Sequence, residues 1–195
     1  GDTAQSGSGP GRFTVSNPPP AGSTTLSDQV WVYAENHWGP VERNMSVGEQ
    51  AAGDGKPLTV AGTVYPKGLG AHAPGRIGFY LDSQCSRLTV SGGIDDEAGD
   101  RGQVRFEVWG DGTRLAQAEA VGSGGAVPLS ADLTGVDVLE LRLDPEDSPD
   151  FDHSDWLNPQ ITCTGTPPPT GKSKLADRPW LSMTYMEIGR ASCRE

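Results

Sequence analysis

The chain has 195 residues, of which 27 are glycine and 16 are proline, and its formal net charge at pH 7 is -11. This acidic balance argues against binding to nucleic acids or anionic membranes, because both are bound by clustered lysine and arginine side chains. No run in the sequence approaches the roughly 18 consecutive apolar residues that a membrane-spanning helix requires, so we expect no membrane partner.

The composition changes along the chain, and the change predicts one folded domain over residues 26–163. This stretch carries 22 acidic and nine basic residues and most of the large apolar side chains, and a domain of that size can bury a core. Pro-rich linkers are predicted on either side, over residues 17–25 and 164–171. Such linkers are typical of modular secreted proteins, so we expect an extracellular location. The ends are interpreted as the tail of a preceding module over residues 1–16, the truncated start of a second similar module over residues 172–186, and a non-native tail over residues 187–195.

Within the domain, short segments alternate apolar and polar residues with a period of two, which is typical of β-strands. In chain order, strands are predicted over residues 58–65 (two strands around a glycine turn), 77–81, 87–91, 103–109, 113–118, 126–130, 138–143 and 160–163. Asp111-Gly112 predicts a tight hairpin turn after residues 103–109. No segment has a convincing helical period, so the predicted fold class is an all-β sandwich whose long polar loops carry the function.

Two of the cysteines, Cys85 and Cys163, fall at the margins of predicted strands. In a secreted protein they are expected to form a disulfide. Closing the loop of 78 residues between them would stabilise the fold by about 4 kcal/mol on the chain-entropy account. Two separate buried thiols are the alternative, and Cys193 is assigned no role.

Six short motifs, in order along the domain, resemble the NPCBM family, which is family 51 of the carbohydrate-binding modules. The motifs are Leu-Ser-Asp-Gln-Val-Trp at residues 26–31, Trp-Gly-Pro-Val-Glu-Arg-Asn at 38–44, Lys-Gly-Leu-Gly-Ala-His-Ala at 67–73, Gly-Ile-Asp-Asp-Glu at 93–97, Phe-Glu-Val-Trp-Gly-Asp-Gly at 106–112 and Asp-His-Ser-Asp-Trp at 152–156. The resemblance implies a jelly-roll-like β-sandwich that binds galactose-type sugars without catalysis, often with a structural calcium ion. It also implies a glycoside hydrolase, such as an α-galactosidase, in the same polypeptide.

Sugar recognition needs an aromatic ring that stacks on the C–H face of the sugar and polar groups that bind its hydroxyls. Trp38 and Trp156 lie in predicted polar loops and are candidates for the stacking ring, with packing in the core as the alternative for each. Trp31 and Trp109 lie in predicted strands and are expected in the core. With the resemblance, the predicted sugar-binding residues are Trp38, Glu42, His72, Glu97, Arg101, Asp152, His153 and Trp156.

Two histidines of that set have structural alternatives. His72 follows a Gly-rich turn, and a neutral imidazole there could donate to and accept from a sugar hydroxyl. A structural histidine bonded to a backbone carbonyl is the alternative for His72, and a structural role is equally open for His153. His37 is interpreted as part of a loop. The loop at residues 144–151 is richer in proline than the family's Gly-rich loop, which leaves its sugar contacts open.

Two acidic loops are candidates for the calcium ion. Consecutive carboxylates repel one another unless something positive lies among them, and calcium takes six to eight oxygen ligands. The predicted ligands are Asp95, Asp96, Asp150 and Asp155. Pairing with Arg101 or Arg105, or a solvated acidic loop, is the alternative, and the sequence has no zinc or EF-hand spacing.

The predicted function is therefore a secreted, monomeric, non-catalytic module that binds a galactose-containing glycan. Its effect would be to raise the local concentration of a tethered glycoside hydrolase at the glycan. A protein-interaction or adhesion module without a sugar ligand is the alternative, followed by a fragment with glycosidase activity. Carboxylates are too plentiful here to indicate an acid and base pair, and the sequence has no serine-hydrolase, zinc-protease or phosphate-loop motif.

Overall fold

The computed structural model describes residues 17–48, 51–146 and 148–165 of the chain. In this part, the regular structure consists of β-strands and two short 3-10 helices, Leu26–Asp28 and Asp96–Ala98. The strands are β1 Gly22–Thr25, β2 Tyr33–Asn36, β3 Glu42–Arg43, β4 Thr59–Val60, β5 Thr63–Val64, β6 Gly68–His72, β7 Gly75–Tyr80, β8 Cys85–Ile94, β9 Gln103–Gly110, β10 Thr113–Val121, β11 Val127–Asp132, β12 Val138–Pro145 and β13 His153–Cys163. Within these described ranges, no helix has the length and apolar character needed to cross a membrane.

The strands form two antiparallel sheets and one small hairpin. In the first sheet the strand order is β11-β8-β13-β6-β3, with β1 also paired to β13. In the second sheet the order is β10-β9-β12-β7-β2, and β4 pairs with β5 in the hairpin. The two sheets pack face to face, which confirms the predicted all-β sandwich of the jelly-roll type.

The core lies between the two sheets. Phe106 of the second sheet meets Trp156 of the first in an edge-to-face contact, with ring centroids 4.9 Å apart. A side chain at Gly92 on β8 would collide with the Phe106 ring, so glycine is needed there for the sheets to approach. Trp31 packs against this core as expected.

Trp109 corrects an expectation, because it lies on the outer face of the second sheet. Side chains alternate along β9, and Val104, Phe106 and Val108 point into the core. Trp109 therefore points outward, where the Arg142 guanidinium lies 4.1 Å from its ring centroid. The prediction that Trp109 is a core residue was wrong. Successive side chains of a strand point to opposite faces, so the residue after the inward-facing Val108 must point outward.

The predicted disulfide is confirmed. Cys85 opens β8 and Cys163 closes β13, and the two sulfur atoms are bonded. The bond joins neighbouring strands of the first sheet, and it closes the loop of 78 residues.

The start of the domain differs from the predicted boundary. Residues 22–25, which were assigned to the first linker, form β1 and pair with the last strand, with Gly22 opposite Cys163. The sandwich therefore begins before residue 26. The predictions for residues 1–16, 172–186 and 187–195, and for most of the second linker, lie outside the described residues.

Two missed strand segments matter most for the site. β6 contains the Gly-rich segment that was interpreted as a turn, and β13 begins at His153 rather than at residue 160. Glycines in β6 mark close approach of backbones, since a side chain at Gly70 would collide with the backbone around Met45 and Ser46. His72 and His153 are therefore strand residues rather than loop residues.

Candidate functional site

Three imidazoles form a row at one end of the sandwich. The antiparallel register of β6 and β13 places His72 opposite His153, and their ring centroids are 5.1 Å apart. His37 follows β2, and its ring centroid lies 5.6 Å from that of His72. We call His37, His72 and His153 the histidine row. Sequence reasoning had assigned no role to His37.

The loop that carries Trp38 is fixed to the histidine row by Asn36. The Asn36 side-chain oxygen accepts from the His72 backbone N–H at 2.6 Å, and its amide nitrogen donates to the Trp38 carbonyl at 2.7 Å. Trp38 itself is 51% exposed. The loop backbone at Trp38 is therefore tied to the strand that carries His72. The bond from the His72 N–H to Asn36 spans 36 residues, which no local pattern predicts.

His72 has a defined hydrogen-bonding arrangement. Its Nδ1 lies 2.8 Å from the Ala73 carbonyl oxygen, and because a carbonyl only accepts, Nδ1 carries the proton. Nδ1 thus makes the bond to a backbone carbonyl that was the structural alternative for His72. In the neutral ring, Nε2 then keeps a lone pair that can accept a hydrogen bond. Burial lowers the pKa of His72, and the neighbouring His153 and His37 lower the pKa further, so the imidazole stays neutral over a wider pH range.

At the other end of the row, His153 borders a small cavity. Its Nδ1 is 3.9 Å from Glu97 Oε2, and Glu97 Oε1 is 3.1 Å from the Lys56 ammonium. The cavity measures about 230 Å³. It is lined by Val47, Gly48, Asp54, Gly55, Lys56, Glu97 and His153, and we call it the His153 cavity. It offers a carboxylate, an ammonium and an imidazole, which together can accept from and donate to sugar hydroxyls.

Trp156 corrects the prediction of a second stacking ring. Its side chain is 0% exposed and packs against Phe106 in the core, so neither face of the indole can meet a ligand. The core alternative is the right one. Trp156 lies on β13 within the fully buried stretch of residues 154–157, which a loop interpretation could not foresee.

Asp152 and Glu42 are also buried rather than exposed to a ligand. Asp152 is 0% exposed, and its Oδ1 accepts from the Gln103 backbone N–H at 3.0 Å. The prediction that Asp152 contacts the sugar was wrong for this reason. Glu42 is nearly as buried, and its Oε1 accepts from the Gly53 N–H at 2.8 Å. It holds the turn that precedes Gly55 and Lys56 at the His153 cavity.

Arg101 is exposed and covers an aromatic residue that the sequence reasoning missed. The Arg101 guanidinium lies 3.3 Å from the ring centroid of Phe151, which is 40% exposed. Phe151 adopts a φ of 70°, a conformation that is uncommon for a bulky residue. A side chain at Gly102 would lie 2.6 Å from the Phe151 carbonyl oxygen, so the glycine makes room for this loop.

The four predicted calcium ligands do not form one cluster. Asp96 accepts from the backbone N–H groups of Ala61 and Gly62 at 2.8 and 2.9 Å, so its carboxylate caps the β4–β5 hairpin. Asp150 is exposed, and its charge acts on His72. Over residues 17–48, 51–146 and 148–165, no three His, Cys, Asp or Glu side chains are grouped to hold a metal ion.

Asp95 and Asp155 form a buried carboxyl pair. Asp95 accepts from the Thr59 and Glu97 N–H groups at 3.0 and 2.9 Å. Asp155 is 0% exposed, and within the described residues its oxygens receive no N–H or hydroxyl donor. Burial raises the pKa of Asp155 well above its ordinary value, and the charge of Asp95 adds to the effect.

A proton fits this pair better than a calcium ion. A protonated Asp155 can donate its O–H to the Asp95 carboxylate, which gives one of its two buried oxygens a partner and avoids two adjacent negative charges. Two adjacent carboxyl groups fall short of the six to eight oxygens of a calcium site. The calcium prediction stays a prediction, and the side chains described here do not fit it.

The antiparallel sandwich thus carries imidazoles and a carboxylate at one end, next to a loop with an exposed tryptophan. Residues 22–162 match the family described as the NPCBM/NEW2 domain, and the chain belongs to that family of carbohydrate-binding modules. The resemblance that the six motifs predicted is confirmed. The family consists of non-catalytic binding modules.

Two curated relatives are much longer than this chain. A protein of Renibacterium salmoninarum named "Putative endo-alpha-N-acetylgalactosaminidase" is 40% identical over 149 residues, which cover 75% of this chain and 10% of that protein. Alpha-1,3-galactosidase B of Akkermansia muciniphila is 29% identical over 116 residues, which cover 56% of this chain and 14% of that enzyme. The chain therefore spans only a small part of the curated relatives it matches.

Solved structures of two modules from Clostridium perfringens share the fold. The CBM51 module of GH95, in complex with methyl-galactose, superposes with a TM-score of 0.63 at 24% identity, over 72% of this chain and 99% of that one. The CBM51-2 and INT domains of ZmpB, in complex with GlcNAc, give a TM-score of 0.64 at 23% identity, over 71% of this chain and 31% of that one. At these identities the likeness establishes the fold.

Proposed function

We propose that the chain binds a galactose-type sugar between Trp38, the histidine row and the His153 cavity. The observation that carries the proposal is the open Trp38 side chain, 51% exposed, on a loop whose backbone Asn36 ties to the strand that carries His72. The GH95 module, whose structure holds methyl-galactose, has the same fold, and one relative is named as a galactosidase. Both support a galactose-type ligand.

The binding mechanism combines stacking with directional hydrogen bonds. Galactose has an axial 4-hydroxyl, which leaves a continuous C–H face on one side of the ring, and an indole can cover that face. The hydroxyls on the other side would meet the lone pair of His72 Nε2, the imidazole of His153 and the carboxylate of Glu97. Lys56 would supply N–H donors to hydroxyl oxygens. Charged partners make the stronger of these bonds.

We further propose that the module is secreted and serves a tethered glycoside hydrolase. The Cys85–Cys163 disulfide supports the first part, because such bonds persist in oxidising compartments. The names of the long relatives support the second part. A monomeric module that holds its glycan weakly would raise the concentration of the hydrolase at that glycan, and it needs no catalytic residue of its own.

Isothermal titration calorimetry tests the binding proposal. The full chain is titrated with methyl galactoside, N-acetylgalactosamine, N-acetylglucosamine and methyl glucoside. We expect the galactose-configured sugars to bind most tightly. Trp38→Ala should lower the affinity at least tenfold and Trp38→Phe should retain part of it, because the phenyl ring also stacks. Val64→Ala, which removes an exposed apolar side chain on the β4–β5 hairpin, is the control and should bind normally. No heat with any galactose-configured sugar would refute the proposal.

A further inference from the structure

A second and larger cavity lies on the other side of the histidine row. It is a groove of about 560 Å³ over the outer face of the second sheet. It is lined by Glu35, Asn36, His37, Pro74, Gly75, Arg76, Glu107, Arg142, Leu143 and Asp144, and we call it the sheet groove. Asn36 and His37 belong both to this lining and to the segment that carries Trp38, so the groove is continuous with the proposed sugar site.

Strand register places a row of charged side chains across the sheet groove. Glu35 on β2 lies opposite Arg76 on β7, Arg76 lies opposite Arg142 on β12, and Arg142 lies opposite Glu107 on β9. Two guanidinium groups on adjacent strands are thus flanked by two carboxylates. Like charges directly opposite each other destabilise a sheet unless counter-charges accompany them.

Ion pairs fix both guanidinium groups and leave some of their N–H groups open. Arg76 makes a two-bond pair with Glu35, through Nε at 2.8 Å and Nη2 at 2.6 Å. The Nε of Arg142 donates to Glu140 at 2.6 Å, and its plane covers Trp109. Within the described residues, Nη1 of Arg76 and both Nη atoms of Arg142 donate to no protein atom. These oriented donors line the groove.

The main acceptor on the groove floor is already occupied. Glu107 accepts from the Trp109 indole at 2.7 Å, from Arg105 at 3.0 Å and from Arg114 at 2.8 Å. Glu107 therefore has little accepting capacity left, and the donors that the groove presents are the open N–H groups of Arg76 and Arg142. A ligand that suits it must be rich in acceptor oxygens, such as hydroxyl, ring and glycosidic oxygens.

The charge balance of the groove favours a neutral ligand. Each guanidinium is paired with its own glutamate, Arg76 with Glu35 and Arg142 with Glu140, so the pair of arginines carries no uncompensated positive charge. The chain as a whole has a net charge of -11, which opposes an anionic ligand.

We propose that the sheet groove binds the sugar units that follow the terminal residue, so that the ligand is a neutral glycan chain rather than a single sugar. The inference rests on the proposed function, because the terminal sugar on Trp38 sets the point from which the chain enters the groove. Arg76 and Arg142 are the residues that would distinguish an extended glycan from a monosaccharide, and the donors they offer are fixed before the ligand arrives.

The test compares a monosaccharide with an extended glycan by calorimetry on the full chain. Wild-type protein should bind neutral galactose-terminated tri- and tetrasaccharides about tenfold more tightly than methyl galactoside, since each hydrogen bond to a charged donor can supply at least that factor. The Arg76→Ala/Arg142→Ala double variant should lose this gain and keep its affinity for methyl galactoside. Arg142→Lys preserves the charge over Trp109 and is the conservative variant in case the double variant does not fold. It should lose part of the extra affinity for the longer glycans.

The control is Arg87→Ala, which removes an exposed arginine of β8 in the first sheet and should change neither affinity. Equal affinity of the wild type for the monosaccharide and the longer glycans would overturn the groove proposal while the proposed function stands. A gain found only with sialylated or sulfated glycans would overturn the neutral class. Absence of binding to every galactoside would overturn the proposed function and the groove proposal together.

Discussion

The buried Asp95–Asp155 pair makes a prediction about stability that can be worked out in sign and size. Asp155→Asn replaces the acid with an amide of nearly the same shape, whose N–H can still donate to the Asp95 carboxylate. If Asp155 is protonated in the folded state, the two side chains make equivalent hydrogen bonds. We therefore expect the variant to fold, with a stability within about 1 kcal/mol of wild type near pH 4.

The difference between the two proteins should then depend on pH. The raised pKa of Asp155 means that the folded state keeps a proton that the unfolded chain releases above its ordinary pKa near 3.9. Wild-type stability therefore falls with rising pH by about 1.4 kcal/mol per pH unit from this group, until the folded pKa is reached. Asp155→Asn lacks this titrating group, so its stability relative to wild type should increase with pH above pH 5, by at most about 1.4 kcal/mol per pH unit.

Urea denaturation at pH 5, 6 and 7, followed by tryptophan fluorescence, measures this difference. Taking the difference between variants cancels the other titrating groups. Asp100→Asn, at an exposed carboxylate, is the control and should show no such divergence. A constant difference across the pH range would refute the shared proton. A wild-type protein that calcium stabilises and EDTA destabilises, with Asp155→Asn insensitive to both, would show that the pair holds a cation instead.

Three further outcomes follow from the same structure. Trp156→Ala should lower the unfolding free energy by about 3–5 kcal/mol and Trp38→Ala should leave it nearly unchanged, because only the first is in the core; comparable losses in a thermal melt would contradict the assignment. Replacing Cys85 and Cys163 together with serine should cost about 4 kcal/mol in chemical denaturation, and an unchanged midpoint would contradict it. Galactoside affinity should stay level from pH 8 to pH 6.5 and fall under more acidic conditions, because the lowered pKa of His72 delays protonation of Nε2; affinity that rises on acidification would argue against an accepting imidazole.

The strands that alternate cleanly in the sequence were predicted well, and those built on small or polar residues were not. Residues 103–109 and 138–143 were recognised from their period of two and correspond to β9 and β12. β6 was missed because its glycines indicated a turn, although they allow Met45 and Ser46 to lie against the strand. Whether a glycine marks a turn or a close approach depends on a neighbour that is distant in sequence.

For the site, Glu97 and His153 line one cavity, and Trp38 directly follows His37 of the histidine row. Their roles in binding a sugar stay predictions. Asn36 and Lys56 were missed, since their roles depend on bonds to His72 and Glu97 that only the fold creates. Trp38 and Trp156 both have polar neighbours in the sequence, but Trp38 is exposed and Trp156 is buried. Polar neighbours in the sequence therefore do not reveal whether a residue is exposed.

The most direct test of a galactose site at the histidine row is a two-dimensional NMR titration of the full chain with methyl galactoside. We expect the Trp38 indole N–H and the amides of His37, His72, His153 and Glu97 to shift together with one saturating affinity, while the signals of Trp156 and Trp31 change little. Shifts confined to other surfaces, or none at galactoside concentrations of tens of millimolar, would contradict a galactose site at the histidine row.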